Sequence, residues 1–384
     1  MSSMAGLYLH IPFCHSKCTY CSFITGSYED LLAERYLNAL ILEIKSLSSR
    51  LSDKERQIDT IYFGGGTPSI IAPSWITKLL EHCYQYFTVA PNPEITIEVN
   101  PADINLDHLQ SYQKIGINRV SVGIQSFIDK QLKEIGRDHS ASQASQAIKQ
   151  LRKSGFDNIS LDLIAGLPNQ SLEQWQYNLS EAISLEPEHL SIYLLEIKAG
   201  TTLSAQIKSG RLAMPDEDLA AEMYETLVDT LTSNGYLHYE ISNFAKQKND
   251  SLLYSRHNTK YWLDVPYYGL GVSAHSYHSQ ERYFNVQSTN TYINNINSTG
   301  QAMAEKIALN AEERVREALM LRLRLIKGVN LLEFHKSYQF DVMANYQNSF
   351  KEMIENSLLE IKDGYLRLTP RGILYSNEVF QLFV

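Results

Sequence analysis

The sequence predicts an α/β fold built on a parallel sheet, with a small helical domain behind it, and three observations predict it. Short apolar, β-branched runs alternate about six times with longer amphipathic stretches; glycines and acidic residues gather just after the runs; and the text changes character from about residue 216. The runs are 6–12, 58–66, 94–100, 118–125, 158–168 and 189–197, each short and apolar enough for a buried parallel strand. Such alternation implies βαβ units with right-handed crossovers, so the sheet is either open and doubly wound or curled into a barrel. Periodicity does not choose between the two. In both, ligands gather at the C-terminal ends of the strands.

Helical patterns separate the runs at 31–47, at 74–87, in a stretch ending at Gly155, and at 171–185. From 216 a further helix, DEDLAAEMYETLVDTLTSNG, leads into an aromatic, glycine-rich stretch, YEISNFA through RHNTKYWLDVPYYGLGVSAHSY. A polar tract at 286–301 then precedes EERVREALMLRLRL, the first helix of a C-terminal domain. That domain ends in LLEIKDGYLRLT, where Asp363-Gly364 suits a tight hairpin turn, so it reads as winged-helix-like. The expected division is 1–215 for the α/β unit, 216–300 for its extension and 301–384 for the last domain.

The chain has 384 residues, 44% apolar and 20% charged, which is ordinary for a globular protein and enough for a sizeable core. A net charge of -9 argues against a nucleic-acid partner, because a phosphate backbone needs a clustered basic surplus. The start, MSSMAGLYLHIPF, lacks a basic segment followed by a long apolar one, and no later run is long enough to cross a membrane. These features indicate a cytoplasmic protein. Arg322, Arg324, Lys327, Lys362, Arg367 and Arg371 concentrate near the C-terminus, where a solvated helix face is the ordinary explanation.

Three of the four cysteines fall in Cys14-His-Ser-Lys-Cys18-Thr-Tyr-Cys21, a C-x3-C-x2-C spacing just after the first strand. Three soft thiolates this close suit three irons of a four-iron cluster and leave one iron open. A closed zinc site would need His10 or His15 as its fourth ligand. Cys83, in an amphipathic helix, reads as a buried inert thiol. Gly64-Gly65-Gly66-Thr67-Pro68 follows the second strand, and successive glycines let backbone amides approach a ligand closely. The remaining polar residues at strand ends are Glu98, Gln125, Arg137 and Asp162. Burying a carboxylate there is costly without a partner, so each should meet a ligand or a structural cation.

Together the cysteine triplet and the glycine loop resemble the radical-SAM superfamily. HIPFC, GGGTP, EVNP, GIQSF and DLIAGLP, in order over most of the first 280 residues, resemble its coproporphyrinogen-dehydrogenase branch. The resemblance implies a partial (β/α)6 barrel with a small C-terminal helical, winged-helix-like domain. It implies a [4Fe-4S] cluster on Cys14, Cys18 and Cys21, with S-adenosylmethionine (SAM) chelated at the open iron and cleaved by one electron to a 5′-deoxyadenosyl radical. Tyr8 and Tyr20 would flank the cluster and SAM. Gly65, Gly66, Thr67 and Glu98 would hold the methionyl and ribose portions, with Gln125, Arg137 and Asp162 completing the adenosyl side or a neighbouring site.

Within that branch two functions compete: oxygen-independent decarboxylation of coproporphyrinogen III, and haem carriage by the HemW-type haem chaperones. The dehydrogenase has a further cysteine two residues beyond the triplet and a long segment before it; here Phe23 stands at that place, with thirteen residues before Cys14. His257-Asn258-Thr259-Lys260-Tyr261 carries the H-N-x-x-Y motif that marks haem binding in the chaperones. A neutral imidazole is a good axial ligand, so His257 is the expected haem-iron ligand, with Asn258 and Tyr261 beside it. Tyr261, Trp262, Tyr267 and Tyr268 could cover a porphyrin face, and His275 is a secondary candidate. The resemblance thus implies a haem chaperone whose partners are haem and haem-acceptor proteins, membrane-associated respiratory ones included. A peripheral membrane contact, a homodimer and SAM cleavage are each compatible with it.

Overall fold

The computed structural model describes residues 4–249 and 251–383; the outermost residues of the expected first and last domains, and residue 250 of the extension, lie outside this range. Six strands follow the expected order: β1 (Ala5–Ile11), β2 (Gln57–Gly65), β3 (Thr88–Val99), β4 (Arg119–Gln125), β5 (Ile159–Ala165) and β6 (His189–Leu194). Each pairs in parallel with the next. The helices between them include α1 (Asp30–Arg50), α2 (Pro73–Tyr86), α3 (Leu106–Lys114), α4 (Asp129–Glu134), α5 (Ala141–Lys153) and α6 (Leu172–Ser184). Capping boxes start α5 at Ser140 with Gln143 and α6 at Ser171 with Gln174, satisfying helix-end amides that would otherwise be orphaned.

Through the barrel the six strands are largely buried, apart from the start of β3 and the end of β6, yet their side chains alternate in polarity. Leu7, Leu9, Ile61, Phe63, Ile95, Ile97, Val120, Val122, Leu161, Leu163, Leu190 and Ile192 join one apolar core with the helices. The intervening residues face inward and are polar. Tyr8, Tyr62, Thr96 and Arg119 stand opposite one another across β1 to β4. Glu98, Ser121, Ser160 and His189 form the next row across β3 to β6, and Gly123, Asp162 and Ser191 the row above. One cavity is lined from the β1–α1 loop and from β2 through β6, so the sheet curls round it as a partial barrel with a polar lumen.

Residues after β6 extend this sheet at both edges. The helix α7 (Thr202–Lys208) and the long α8 (Glu217–Ser233) lead to β7 (Leu237–Glu240) and β8 (Asn243–Ala245), which run antiparallel beyond β6. The short α9 (Arg256–Trp262) crosses to the opposite edge. There β9 (Tyr267–Leu270) pairs in parallel with β1, followed by antiparallel β10 (His275–His278), β11 (Glu281–Asn285) and β12 (Met303–Ala308). The order is β12-β11-β10-β9-β1-β2-β3-β4-β5-β6-β8-β7. Two details differ from the sequence reading. The polar tract at 286–301 contains the helix Thr289–Thr299, whose Tyr292, Ile293 and Ile296 are buried. The strand β12 belongs to the large sheet, although the last domain was expected to open at 301.

A second core gathers Val315, Leu319, Phe334, Phe350, Leu366 and Val379. Its helices Ala311–Arg322, Leu331–Tyr338 and Gln347–Glu355 and its small sheet follow the helix–strand–helix–helix–hairpin order of a winged helix. Positive φ at both Asp363 (50°) and Gly364 (78°) gives the hairpin the turn its twist requires. Five of the six basic residues there are engaged within the chain, Arg322 over Phe334, Arg324 over Trp262, Lys327 over Tyr365, Arg371 over Tyr375 and Arg367 on Glu360, while Lys362 is exposed. No helix is long and apolar enough to cross a membrane among the described residues.

Candidate functional site

The cavity at the C-terminal ends of the strands has a volume of about 460 Å³. Its outer wall is the loop after β1, closed at its base where Phe13–Cys14 pairs with Gly26–Ser27. Cys14, Cys18 and Cys21 are half-buried, free of disulfides, and all line the cavity. Thr67 Oγ1 lies 3.6 Å from Cys14 Sγ, and Arg137 Nη1 lies 3.5 Å from Cys18 Sγ. Burial raises the thiols of Cys14 and Cys21, and it raises the phenol of Tyr20, which also faces the cavity.

The glycine loop fits against this wall because it lacks side chains. A Cβ on Gly66 would sit 2.6 Å from the carbonyl of Phe13 and 3.0 Å from Cys14 Sγ; Gly65 holds φ +117° with the ring of His10 beside it. Behind the loop, Glu98 accepts from Gly65 N (3.1 Å) and from the Tyr62 hydroxyl (2.8 Å). Burial pushes Glu98 up to about 7, against the pull of Tyr62, and it raises Asp162, which accepts from Ser121 at 3.1 and 3.2 Å. Arg137 donates to Gly123 O (2.6 Å) and Asn100 Oδ1 (3.2 Å). Gln125 ends β4 at φ 71°, an unusual conformation for a side-chain residue, where the β4–β5 register shifts.

Three thiols free of disulfides, beside a backbone cradle that a Cβ would fill, suit a cluster with one open iron and a small chelating ligand. The histidines of the zinc alternative are otherwise engaged. His10 makes contacts with Tyr8 OH (3.1 Å) and Ile24 O (3.2 Å), and His15 pairs with Asp103 at 3.2 Å. Cys83 is fully buried in α2, and desolvation raises its thiol.

The haem-motif residues lie elsewhere. The helix α9 packs across the N-terminal ends of the strands and plugs the floor of the barrel. Glu94, from β3, accepts from the amides of Arg256 (3.0 Å) and His257 (2.9 Å), a carboxylate placed at the positive end of the helix. Asp59 of β2 pairs with Arg256 (3.0 Å) and with the buried Lys260 (2.5 Å). His257 is 1% exposed. Its Nδ1 lies 2.8 Å from Thr60 Oγ1 and its Nε2 2.9 Å from the Tyr261 hydroxyl, so both ring nitrogens are taken. Burial, with Lys260 and Arg119 adding, lowers it to about 3 and keeps it neutral. Tyr261 packs edge-on against Tyr267, Trp262 lies under Arg324, Tyr268 is buried behind, and Asn258 continues the helix. His275 stacks on Phe284, away from this group.

Cys14, Cys18, Cys21, Tyr20, Gly65, Gly66, Thr67, Glu98, Gln125, Arg137 and Asp162 therefore share one cavity, whereas His257, Asn258 and Tyr261 sit at the other end of the barrel. Tyr8 lies between: it does not line the cavity, but its ring stacks on Tyr62 at 6.0 Å and lies 6.4 Å from that of His257. Tyr62, Ser121, Asn100 and Arg119 were not anticipated. The signal for the inward residues was present in the period-two alternation of EITIEV and RVSVGIQ.

The Radical SAM superfamily matches residues 8–180, and the HemN C-terminal domain matches residues 309–375. The haem chaperone HemW of Bacillus subtilis is 33% identical over 99% of both chains, and that of Synechocystis is 32% identical over 97% of this chain and 94% of its own. The mouse mitochondrial radical S-adenosyl methionine domain-containing protein 1 is 33% identical over 98% of this chain and 85% of its own. Coproporphyrinogen III oxidase (HemN) from Escherichia coli superposes over 100% of this chain and 90% of its own, with a TM-score of 0.86 at 23% identity, which shows a shared fold. The chain belongs to the radical-SAM superfamily and, within it, to the family of the haem chaperone HemW.

Proposed function

We propose that this protein binds haem and hands it to acceptor proteins, with a [4Fe-4S] cluster and SAM serving assembly, regulation or release. The observation that carries the reading is the 33% identity over 99% of both chains with a haem chaperone. In this reading Cys14, Cys18 and Cys21 hold the cluster. The amides of Gly65 and Gly66, with Thr67, receive the methionyl end of SAM. Glu98 accepts from its amino and ribose groups, Gln125, Arg137 and Asp162 complete the adenosyl side or a neighbouring site, Tyr20 flanks the cluster and SAM, and Tyr8 backs them through Tyr62. A four-iron cluster with SAM at its open iron supplies, once reduced, one-electron cleavage of the sulfonium bond; the residues around it bind, orient and exclude water.

His257 is the iron ligand of the proposal, with Asn258 and Tyr261 its motif partners. Its neutrality suits the role. Because the Tyr261 hydroxyl occupies Nε2 and the ring is 1% exposed, haem reaches it only after α9 moves from the floor. The units of the proposal remain residues 1–215, 216–300 and 301–384, with β12, at the start of the third, adding the last strand to the sheet of the second. Haem-acceptor proteins are its partners, membrane-associated respiratory ones included, with the chaperone cytoplasmic and any membrane contact peripheral; a homodimer is the assembly it admits.

Anaerobic titration of wild-type protein and His257→Ala with haem tests the proposal. The wild type should develop an imidazole-ligated haem spectrum, and His257→Ala should lose it. Equal spectra and affinities would sink the ligand assignment. Formation of protoporphyrinogen from coproporphyrinogen III at an enzymatic rate, with SAM and a reductant, would overturn the carrier reading.

A further inference from the structure

Directly beneath the cavity, the lumen contains a buried guanidinium whose Nε finds no hydrogen-bond partner among the described residues. Arg119 opens β4 on its inward face, 1% exposed, opposite Thr96. Arg119 Nε and Thr96 Oγ1 are both buried with no hydrogen-bond partner among the described residues. An arginine withdrawn from water is costly, so such a cation persists only where nearby negative charge offsets it.

The neighbours identify that charge. One register step above Arg119, Ser121 donates to Asp162 and stands opposite Glu98. These two carboxylates line the floor of the cavity. The other titratable groups around them and Arg119 are the carboxylates Glu94, held by the amides of α9, and Glu240, held by Ser242 N and Asn243, together with Tyr8, Tyr62, Tyr193, Tyr239, Tyr261, His189 and His257. Burial holds each of these phenols and imidazoles neutral. The other cations are Arg137, at the rim and engaged with Gly123 O and Asn100, Lys260, paired with Asp59 beside His257, and Arg324, near Glu240.

We propose that Arg119 is a positioning residue of the SAM site: from beneath the cavity its guanidinium is the counter-charge of Glu98 and Asp162, keeping both as acceptors toward the ligand. This rests on the reading that the two carboxylates face SAM. The methionyl ammonium and ribose hydroxyls of SAM are donors, and its sulfonium is a cation. A protonated carboxyl would turn a donor toward them and lose the attraction. Burial and the mutual repulsion of the two carboxylates push Glu98 up to about 7, while Arg119 acts in the opposite sense on both. Binding should therefore fall as pH drops through the folded value, and removing the cation should move that fall to higher pH.

The test measures SAM affinity against pH by equilibrium dialysis of the cluster-loaded protein, with thermal midpoints to verify folding. Arg119→Met should move the midpoint up by about one pH unit and weaken binding about tenfold near neutrality. Arg119→Lys, which keeps the charge, should retain the wild-type profile. Infrared spectra of the cluster-free protein without SAM give the second readout. Arg119→Met should show a protonated carboxyl band near neutral pH that is stronger than in wild type and reduced by adding Glu98→Gln.

Superimposable profiles for Arg119→Met and wild type, or an unchanged carboxyl band, would overturn the proposal. So would an Arg119→Lys protein that folds but shifts like the methionine variant. If Glu98→Gln and Asp162→Asn leave SAM affinity unchanged, the SAM reading fails. The infrared comparison still decides whether Arg119 is the counter-charge.

Discussion

What a single residue can do here depends on which of its atoms are already committed. His10 and His257 are both buried imidazoles with both nitrogens engaged, whereas the three loop cysteines are half-buried thiols outside any disulfide, approached by Thr67 at Cys14 and by Arg137 at Cys18. The cysteine triplet and glycine loop were legible because their chemistry is local: ligand spacing and the absence of side chains are written directly in the chain. Arg119 was not, because its role arises from the register of β4 against β3 and β5. The glycines offer a direct check. In Gly66→Ala the new methyl would meet Phe13 O at 2.6 Å and crowd Cys14 Sγ, whereas at Gly26 nothing lies within 4 Å. We expect Gly66→Ala to destabilise the loop by about 1–3 kcal/mol and to lower iron retained after reconstitution, with Gly26→Ala matching wild type. Equal iron in both variants would show that the close approach does not position Cys14.

Among the elements, strand–helix alternation was readable throughout the barrel, but the identity of the two strand faces was not drawn from it. Uniform burial suggested continuous apolar strands, while the lumen is in fact polar. The helix Thr289–Thr299 escaped notice because its asparagines, serines and threonines obscure the short apolar stripe of Tyr292, Ile293 and Ile296. That helix is tied to α1 through Glu43, which accepts from Tyr292 OH (2.6 Å), Asn285 Nδ2 (2.7 Å) and Gly271 N (2.7 Å). Burial nevertheless raises Glu43 from 4.5 to about 7. A carboxyl raised in the folded state favours its protonated form there, so stability should fall as pH rises from about 4.5 to about 7 and then level off. The loss is at most roughly 3 kcal/mol. Glu43→Gln should be less stable, since its amide nitrogen would face hydrogen-bond donors, and it should lose that pH dependence. Thermal midpoints across this range check the result; an unchanged slope in Glu43→Gln would assign the pH effect elsewhere.

For the molecule as a whole, neither the curl of the sheet nor the location of the haem motif could be read from periodicity. Both depend on β9 inserting beside β1, which carries α9 beneath the strands and places the motif opposite the cysteines. The C-terminal domain then grips the last residue of α9 and the segment just beyond it. Arg324 covers Trp262 at 4.4 Å, and Asp264 accepts from Tyr338 OH (2.6 Å) and Arg314 Nη2 (3.3 Å). Backbone bonds from Ile241 N to Arg324 O and from Ile326 N to Tyr239 O fasten the turn after the helix Ala311–Arg322 to the sheet extension. If haem enters by release of α9, this grip sets how often His257 becomes available. Asp264→Asn keeps an acceptor at a left-handed position (φ 57°) that asparagine tolerates, but removes the charge holding Arg314. Weakening the charge-assisted contacts by about 1.4 kcal/mol would raise the open fraction about tenfold, within the range such bonds supply. Stopped-flow haem uptake should accelerate by about that factor in Asp264→Asn. The accelerated uptake should still depend on His257, so Asp264→Asn combined with His257→Ala should show no ligated spectrum. Identical uptake rates in Asp264→Asn and wild type would mean that haem reaches its ligand without freeing α9 from the C-terminal domain.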